Sequence, residues 1–247
     1  MTEDHYSYRV YADPAMADRF DAMRFSGPIG TLLAETQDAV VADFLGPIAG
    51  RTVVDVGTGT GRAALGLARR GAQVTGVDAS AEMLRVAKAR AAETGLSAAF
   101  DVGDAHALPY PDRSFAAAVS LRVLMHTPGW RVCLRELCRV ADDRVVFDYP
   151  ALLSAAALQA AGRRVLAALG RPVEAYRVLR RREVNRVIES CGFRVAREHR
   201  QFVLPIALHK AVGSRRATMA VERWLAGAGL LRLLGSPVTV VAIRCER

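Results

Sequence analysis

The chain has 247 residues, 51% of them hydrophobic and 24% charged, which suits one large soluble α/β-sized domain with an ample core. No uncharged apolar stretch reaches transmembrane length, the acidic start Met-Thr-Glu-Asp-His is unlike a secretory signal, and Cys133, Cys138, Cys191 and Cys245 have neither C-x-x-C nor zinc spacing; reduced thiols in a cytoplasmic protein without a metal site are expected. The net charge of +9 is uneven: residues 1–150 carry 16 Lys+Arg against 19 Asp+Glu, and residues 151–247 carry 18 against 6, so the second half suits an anionic partner or forms a solvated basic face.

Asp13-Pro14 begins a short helix, with Asp as N-cap and Pro in the first turn. Phe25–Gly30 is a turn cluster, and a helix over Thr31–Leu45 stops at Gly46-Pro47. The pattern then alternates. Strands are predicted at Thr52–Val56, Ala72–Val77, Ala98–Val102, Phe115–Leu121 and Arg144–Asp148, and helices at Arg62–Arg70, Ala81–Thr94 and Arg131–Val140. Apolar strands separated by helices indicate a parallel sheet covered on both faces, and right-handed crossovers make it doubly wound. Ala151–Leu169 is helical and ends at Gly170 and Pro172; Arg181–Ser190 is a helix that stops at Cys191-Gly192. Phe193–Leu204 reads as a long strand, Ala217–Ala226 as a helix and Pro237–Arg244 as a final, antiparallel strand. The expected fold is a seven-stranded, mostly parallel, Rossmann-like α/β sheet with a helical insertion after strand five.

The first strand runs straight into Gly57-x-Gly59-x-Gly61 and then a helix, which is the form of a ligand loop. A dinucleotide fingerprint requires a small residue where Arg62 stands, so that register fails. Asp55, two residues before Gly57, would repel a pyrophosphate but tolerate an ammonium, which favours a sulfonium amino acid. Asp78 ends the second strand, where an acid can accept both hydroxyls of a ribose; Ser80 fits the N-cap role better. Asp104, after the third strand, is placed either to accept from an adenine amino group or to serve the turn at Gly103.

Three segments resemble successive motifs of the class I S-adenosylmethionine-dependent methyltransferases, in the branch that includes the ubiquinone and menaquinone C-methyltransferases and many small-molecule methyltransferases. They are Val53-Val54-Asp55-Val56-Gly57-Thr58-Gly59-Thr60-Gly61, Val77-Asp78-Ala79-Ser80 with Met83-Leu84, and Gly103-Asp104-Ala105-His106 through Phe115. Leu134–Val140 resembles that branch's helix before strand five. The likeness covers about residues 25–150. It departs at Phe115-Ala116, where the family has Phe-Asp, and at Ala141-Asp142-Asp143, where it has Pro-Gly-Gly. The resemblance implies S-adenosylmethionine as cofactor. Asp55, Gly57, Gly59 and Gly61 would hold its methionine part, Asp78 its ribose and Asp104 its adenine, with Thr58, Ala79, Met83 and Ala105 as further cofactor-binding candidates. It also likens Tyr6-Ser-Tyr8-Arg9-Val-Tyr11 to the family's mobile lids, so Tyr11 and Arg24 are candidates either for the cofactor carboxylate or for anchoring the N-terminal helix at the surface. Arg122 could pair with that carboxylate, with an anionic acceptor or in a structural salt bridge.

Methyl transfer from a sulfonium is an in-line displacement in which positioning and exclusion of water do most of the work. A base is needed only if the acceptor loses a proton, and His126, just past the fourth strand, is then the candidate. His106 is expected beside the adenine. The expected organisation is one domain: N-terminal lid helices over 1–45, a cofactor-binding core over 46–150, an acceptor-side cap with a late strand over 151–235, and a final strand over 236–247. Ala151–Leu169 and Val203–His209 offer apolar faces either for ordinary core packing or for a small, lipid-like acceptor, and with the latter the Arg-rich exterior suits peripheral contact with an anionic membrane. The alternatives are an RNA or protein methyltransferase using the basic face, which lacks an Asn-Pro-Pro-Tyr-like motif here and so makes nucleic acid the less favoured partner, and a non-catalytic S-adenosylmethionine-binding partner protein.

Overall fold

The computed structural model describes Tyr11 and residues 13–127, 129–169 and 176–245; Tyr6, Tyr8 and Arg9 of the tyrosine-rich segment, and the helix stop at Gly170 and Pro172, lie outside them. Two helices come first. α1 (Pro14–Phe25) is capped by Asp13, whose carboxylate accepts from the Ala15 N–H. α2 (Gly27–Leu45) begins four residues before the expected Thr31, because Pro28 is tolerated in a first turn.

The core then follows in the order β1 (Thr52–Val56), α3 (Arg62–Ala68), β2 (Gln73–Asp78), α4 (Ala81–Thr94), β3 (Ala99–Val102), β4 (Phe115–Ser120), α5 (Trp130–Val140) and β5 (Ala141–Tyr149). After β5 come α6 (Ala155–Ala168), α7 (Arg181–Ser190), β6 (Phe193–Phe202), α8 (Ile206–Val212), α9 (Arg215–Gly227), α10 (Leu230–Leu234) and β7 (Ser236–Arg244). The seven strands lie in the order β3-β2-β1-β4-β5-β7-β6, and only β7 runs antiparallel to its neighbours.

Side chains alternate across a strand, so each strand feeds two cores. Val53, with Val74, Phe100 and Ala117, packs under Val41 and Phe44 of α2, Leu65 of α3 and Leu84 of α4. Val54 and Val56, with Ala118 and Phe147, pack on the opposite face under Leu134 and Leu137 of α5 and Val184 and Ile188 of α7. The sheet reverses its winding between β1 and β4, and in such sheets ligands bind outside the strands' carboxyl ends at that point.

Two departures from expectation have local causes. β5 begins at Ala141, three residues early, and α5 passes into it with no glycine turn. The carbonyls exposed there are taken by the Arg244 guanidinium, which donates to Cys138 O at 3.1 Å, Ala141 O at 2.5 Å and Asp142 O at 2.7 Å. β6 ends at Phe202 rather than Leu204, because the Val203 and Leu204 N–H groups turn away to the buried Glu222 carboxylate at 2.8 and 3.0 Å. That turn leads into α8, which the sequence pattern does not announce. Among the described residues no helix is long and apolar enough to cross a membrane.

Candidate functional site

At the carboxyl ends of β1, β2 and β4 a cavity opens, walled on its outer side by α1. The glycine loop forms its floor. Gly57 takes φ +72°, and a Cβ there would stand 2.2 Å from Val123 Cγ2. Gly59 takes φ +57° with nothing within 4 Å of its would-be Cβ, so the backbone there faces open space. Thr58 donates its hydroxyl to Asp55 Oδ2 at 2.7 Å.

Asp55 is buried, and burial pushes its carboxyl up to about 6, against the lowering effects of the Thr58 hydroxyl and the Arg62 charge. Asp78 joins the loop to the next strand end: Oδ2 accepts from the Gly59 N–H at 2.8 Å and Oδ1 from the Ser80 N–H at 2.9 Å. Burial raises its pKa as well, opposed by those two N–H bonds. Ser80 caps α4 by accepting from the Met83 N–H at 3.1 Å and donates its hydroxyl to Tyr11 O at 2.5 Å.

Asp55, Gly57, Thr58, Gly59, Asp78, Ala79 and Met83 all line this cavity, and so do Ala105, Arg122 and His126. From the N-terminal segment Tyr11 and Arg24 line it too, with Arg24 Nη2 donating to the Tyr11 hydroxyl at 2.9 Å and its guanidinium 4.8 Å from the Phe20 ring centre. Two expected residues stand elsewhere. Gly61 is not in the wall; it begins α3 at φ +77°, where a Cβ would meet Ala87 of α4 at 2.9 Å, so it serves helix packing. Asp104 is not in the wall; its Oδ1 accepts from the His106 N–H at 2.9 Å and lies 2.7 Å from His106 Nδ1. The imidazole of His106 takes the wall position instead.

Several wall residues escape a motif reading. Asp21 of α1 accepts from the Thr60 hydroxyl at 3.0 Å and pairs with Arg90 at 2.6 Å, which latches α1 to the glycine loop. Arg62, which excluded a dinucleotide register, reaches into the cavity, lies 4.5 Å from the Phe25 ring centre and donates to Gln37 Oε1. Gln37 Nε2 in turn donates to Asp148 Oδ2 at 3.2 Å, and Asp148 Oδ1 accepts the Arg122 N–H. Arg122 is left-handed at φ +63°, an uncommon state for a residue with a Cβ. Its Nε is buried with no hydrogen-bond partner, and burial, then Arg24, lowers its pKa. A buried, under-satisfied guanidinium facing a cavity is suited to a carboxylate or another anion. His126 is buried and sits edge-on between the Tyr11 ring, 6.5 Å away, and the Tyr176 ring, 6.2 Å away.

The family model described as a methyltransferase domain matches residues 53–143. A demethylmenaquinone methyltransferase of Tropheryma whipplei is 31% identical over 203 residues, covering 73% of this chain and 84% of its own. A methyltransferase of Streptomyces halstedii, GfsG, is 34% identical over 143 residues, which cover 57% of this chain. That match spans 48% of the Streptomyces protein, so the chain accounts for less than half its length. Among solved structures, magnesium protoporphyrin IX methyltransferase of Synechocystis PCC 6803 with bound SAH superposes with a TM-score of 0.68 at 20% identity, covering 97% of this chain and 98% of that one.

Proposed function

Since the chain belongs to the class I S-adenosylmethionine-dependent methyltransferases, we propose that its cavity holds that cofactor and that the chain methylates a small, apolar or lipid-like acceptor. The observation that carries this reading is the joint between two strand ends and the glycine loop: Asp55 beneath it, and Asp78 holding Gly59 and Ser80 by their N–H groups. The residues fit the cofactor. Asp55 takes the ammonium, the Arg122 guanidinium, whose Nε has no partner, takes the carboxylate with help from Arg24 and the Tyr11 hydroxyl, and Asp78 keeps lone pairs for the ribose hydroxyls. Gly57, Thr58 and Gly59 let the backbone approach, Ala79, Met83 and Ala105 leave a slot for the base, and His106 borders it. Gly61 and Asp104 act indirectly, through helix packing and through His106.

When bound, S-adenosylmethionine supplies a methyl group already activated by its sulfonium. α1 excludes water from above it, held to the loop by Asp21 on Thr60. Tyr11, His126 and Tyr176 form an aromatic flank that suits a flat apolar acceptor. His126 is placed to take a proton where the acceptor must lose one. We assign residues 151–235 to the acceptor side and, with it, a cytoplasmic protein that touches the membrane. α8 lies against the end of α1 at the cavity rim, where Lys210 Nζ donates to Met23 O and Arg24 O at 3.2 and 3.0 Å. Met23 at the end of α1, Leu208 and Val212 of α8, and Arg216, Arg223 and Trp224 of α9 are exposed, apolar and basic groups of the kind that bind an anionic lipid surface.

The test is transfer of label from methyl-labelled S-adenosylmethionine in the presence of anionic vesicles loaded with prenylated quinols, alongside RNA and total protein. Label in the organic extract is expected. Label in RNA or protein would select a macromolecular methyltransferase using the basic second half, and cofactor binding without turnover on any acceptor class would select a non-catalytic partner protein.

A further inference from the structure

At the opposite pole of the sheet, by the amino ends of the parallel strands, a second cavity is lined by Cys138, Cys191, Asp112 and four arginines, Arg113, Arg135, Arg139 and Arg244. Cys138 lies near the end of α5 and is buried; Cys191 caps the end of α7 and is half-buried. Both thiols line this one cavity, and each perturbs the titration of the other. They come from helices packed side by side, 53 residues of chain apart.

Their surroundings are unequal. The Cys138 thiol, then Ser190 Oγ at 4.0 Å and the charges of Arg135 and Arg244, bring Cys191 down to about 6. Cys138, perturbed by Cys191 and out of water, is held well above the ordinary thiol range, and burial pushes Cys133 up to about 12. Arg139 is already paired with Glu136 and Asp112, and Arg244 with backbone carbonyls, while Arg113 and Arg135 stand exposed at the cavity mouth. A thiolate in an electropositive, partly open setting, sharing its cavity with a second thiol, is the arrangement of a reactive pair.

We propose that Cys191 and Cys138 form a hydroperoxide-reactive thiol pair, with Cys191 as the point of attack and Cys138 as the resolving thiol. Cys191 Sγ attacks one peroxide oxygen; the S–O bond forms, the O–O bond breaks, and the departing oxygen takes a proton from water. Cys138 Sγ then attacks the Cys191 sulfenic acid; the S–S bond forms, the S–O bond breaks, and the Cys138 proton leaves with that oxygen as water. The pair loses two electrons, which reduce the hydroperoxide to an alcohol, or to water for hydrogen peroxide. The cross-link ties the end of α5 to the end of α7, and α5 starts beside Gly129, which packs on His106 of the cofactor cavity.

The full chain, reduced and then treated with equimolar hydrogen peroxide at neutral pH, is blocked with N-ethylmaleimide, digested and weighed. A Cys138–Cys191 peptide about 2 Da lighter than its two reduced halves, reversed by dithiothreitol, is expected, with Cys133 and Cys245 alkylated. In Cys138→Ser the Cys191 sulfenic acid should accumulate and be trapped by dimedone. On the untreated native chain the arginine-lined mouth should favour anionic iodoacetate over neutral iodoacetamide several-fold more at Cys191 than at exposed Cys245. Oxidation first at Cys245, a Cys191–Cys245 link, or equal reagent preference at the two sites would overturn the proposal.

Discussion

Asp55→Asn separates the strain of the empty site from its use. In the free protein burial lifts this carboxyl from 3.8 to about 6. Folding therefore binds an extra proton between pH ~4 and ~6, and stability falls as pH rises through that window. The fall is about 1.4 kcal/mol for each pH unit crossed, or about 3 kcal/mol in all once Asp55 is ionised. Asparagine keeps the shape and an oxygen for the Thr58 hydroxyl but cannot ionise. Urea unfolding of the free proteins should show the variant more stable at pH 7.5, by up to about 3 kcal/mol, with the gain gone by about pH 4. Binding reverses the order. A ligand ammonium pulls Asp55 back to its ionised form, so affinity of the native protein for S-adenosylhomocysteine should rise from pH ~4 to ~6, level off above, and release a proton within the window. Calorimetry in two buffers of different ionisation enthalpy measures that release. The asparagine variant should bind at least about tenfold more weakly at pH 7.5, because a charge-assisted hydrogen bond is worth about 1.5–3 kcal/mol. A variant less stable at both pH values, with unchanged affinity, would show that Asp55 is neither strained in the free protein nor used by the ligand.

Other perturbations follow from the same geometry. Gly57→Ala forces a left-handed alanine against Val123 Cγ2 and should cost about 2–4 kcal/mol in urea unfolding; a loss under about 0.5 kcal/mol would contradict the contact. Arg122→Met should weaken S-adenosylhomocysteine about 10- to 100-fold while leaving 5′-methylthioadenosine, which has no carboxylate, nearly unchanged; an equal loss for both ligands would remove Arg122 from the carboxylate. Replacing Trp224 by Ala together with Arg216 and Arg223 by Glu should cut sedimentation with anionic vesicles at least about tenfold, and salt should weaken the native protein similarly; salt-independent binding that survives the triple change would place any membrane contact elsewhere.

Local signals made much of this fold legible. β1 at Thr52–Val56, α4 at Ala81–Thr94 and α7 at Arg181–Ser190 start and stop at the residues read from pattern, because each has sharp punctuation: a glycine loop, a serine cap with Gly95 beyond, and the Cys191-Gly192 stop. The start of β5 was not legible, since its turn is replaced by Arg244, distant in sequence and supplied by the last strand. The site divides the same way. Asp55 and Asp78 sit at strand ends that periodicity locates, and both reach the cavity. Asp21, Gln37 and Asp148 reach it or brace it only through tertiary contacts, to Thr60, Arg62 and Arg122, that no spacing rule encodes. Asp104 satisfies the spacing yet turns onto His106, because an acid two residues before an exposed N–H closes its own local turn.

Titration of S-adenosylhomocysteine into the native chain and into Asp78→Ala tests most directly whether the cavity is a cofactor site organised by Asp78. This carboxylate holds Gly59 and Ser80 by their N–H groups and is assigned the ribose, so one-to-one binding to the native chain and a loss of at least about 100-fold in the variant are predicted. Equal affinity in a variant that unfolds cooperatively, or no binding by the native chain at millimolar ligand, would contradict it.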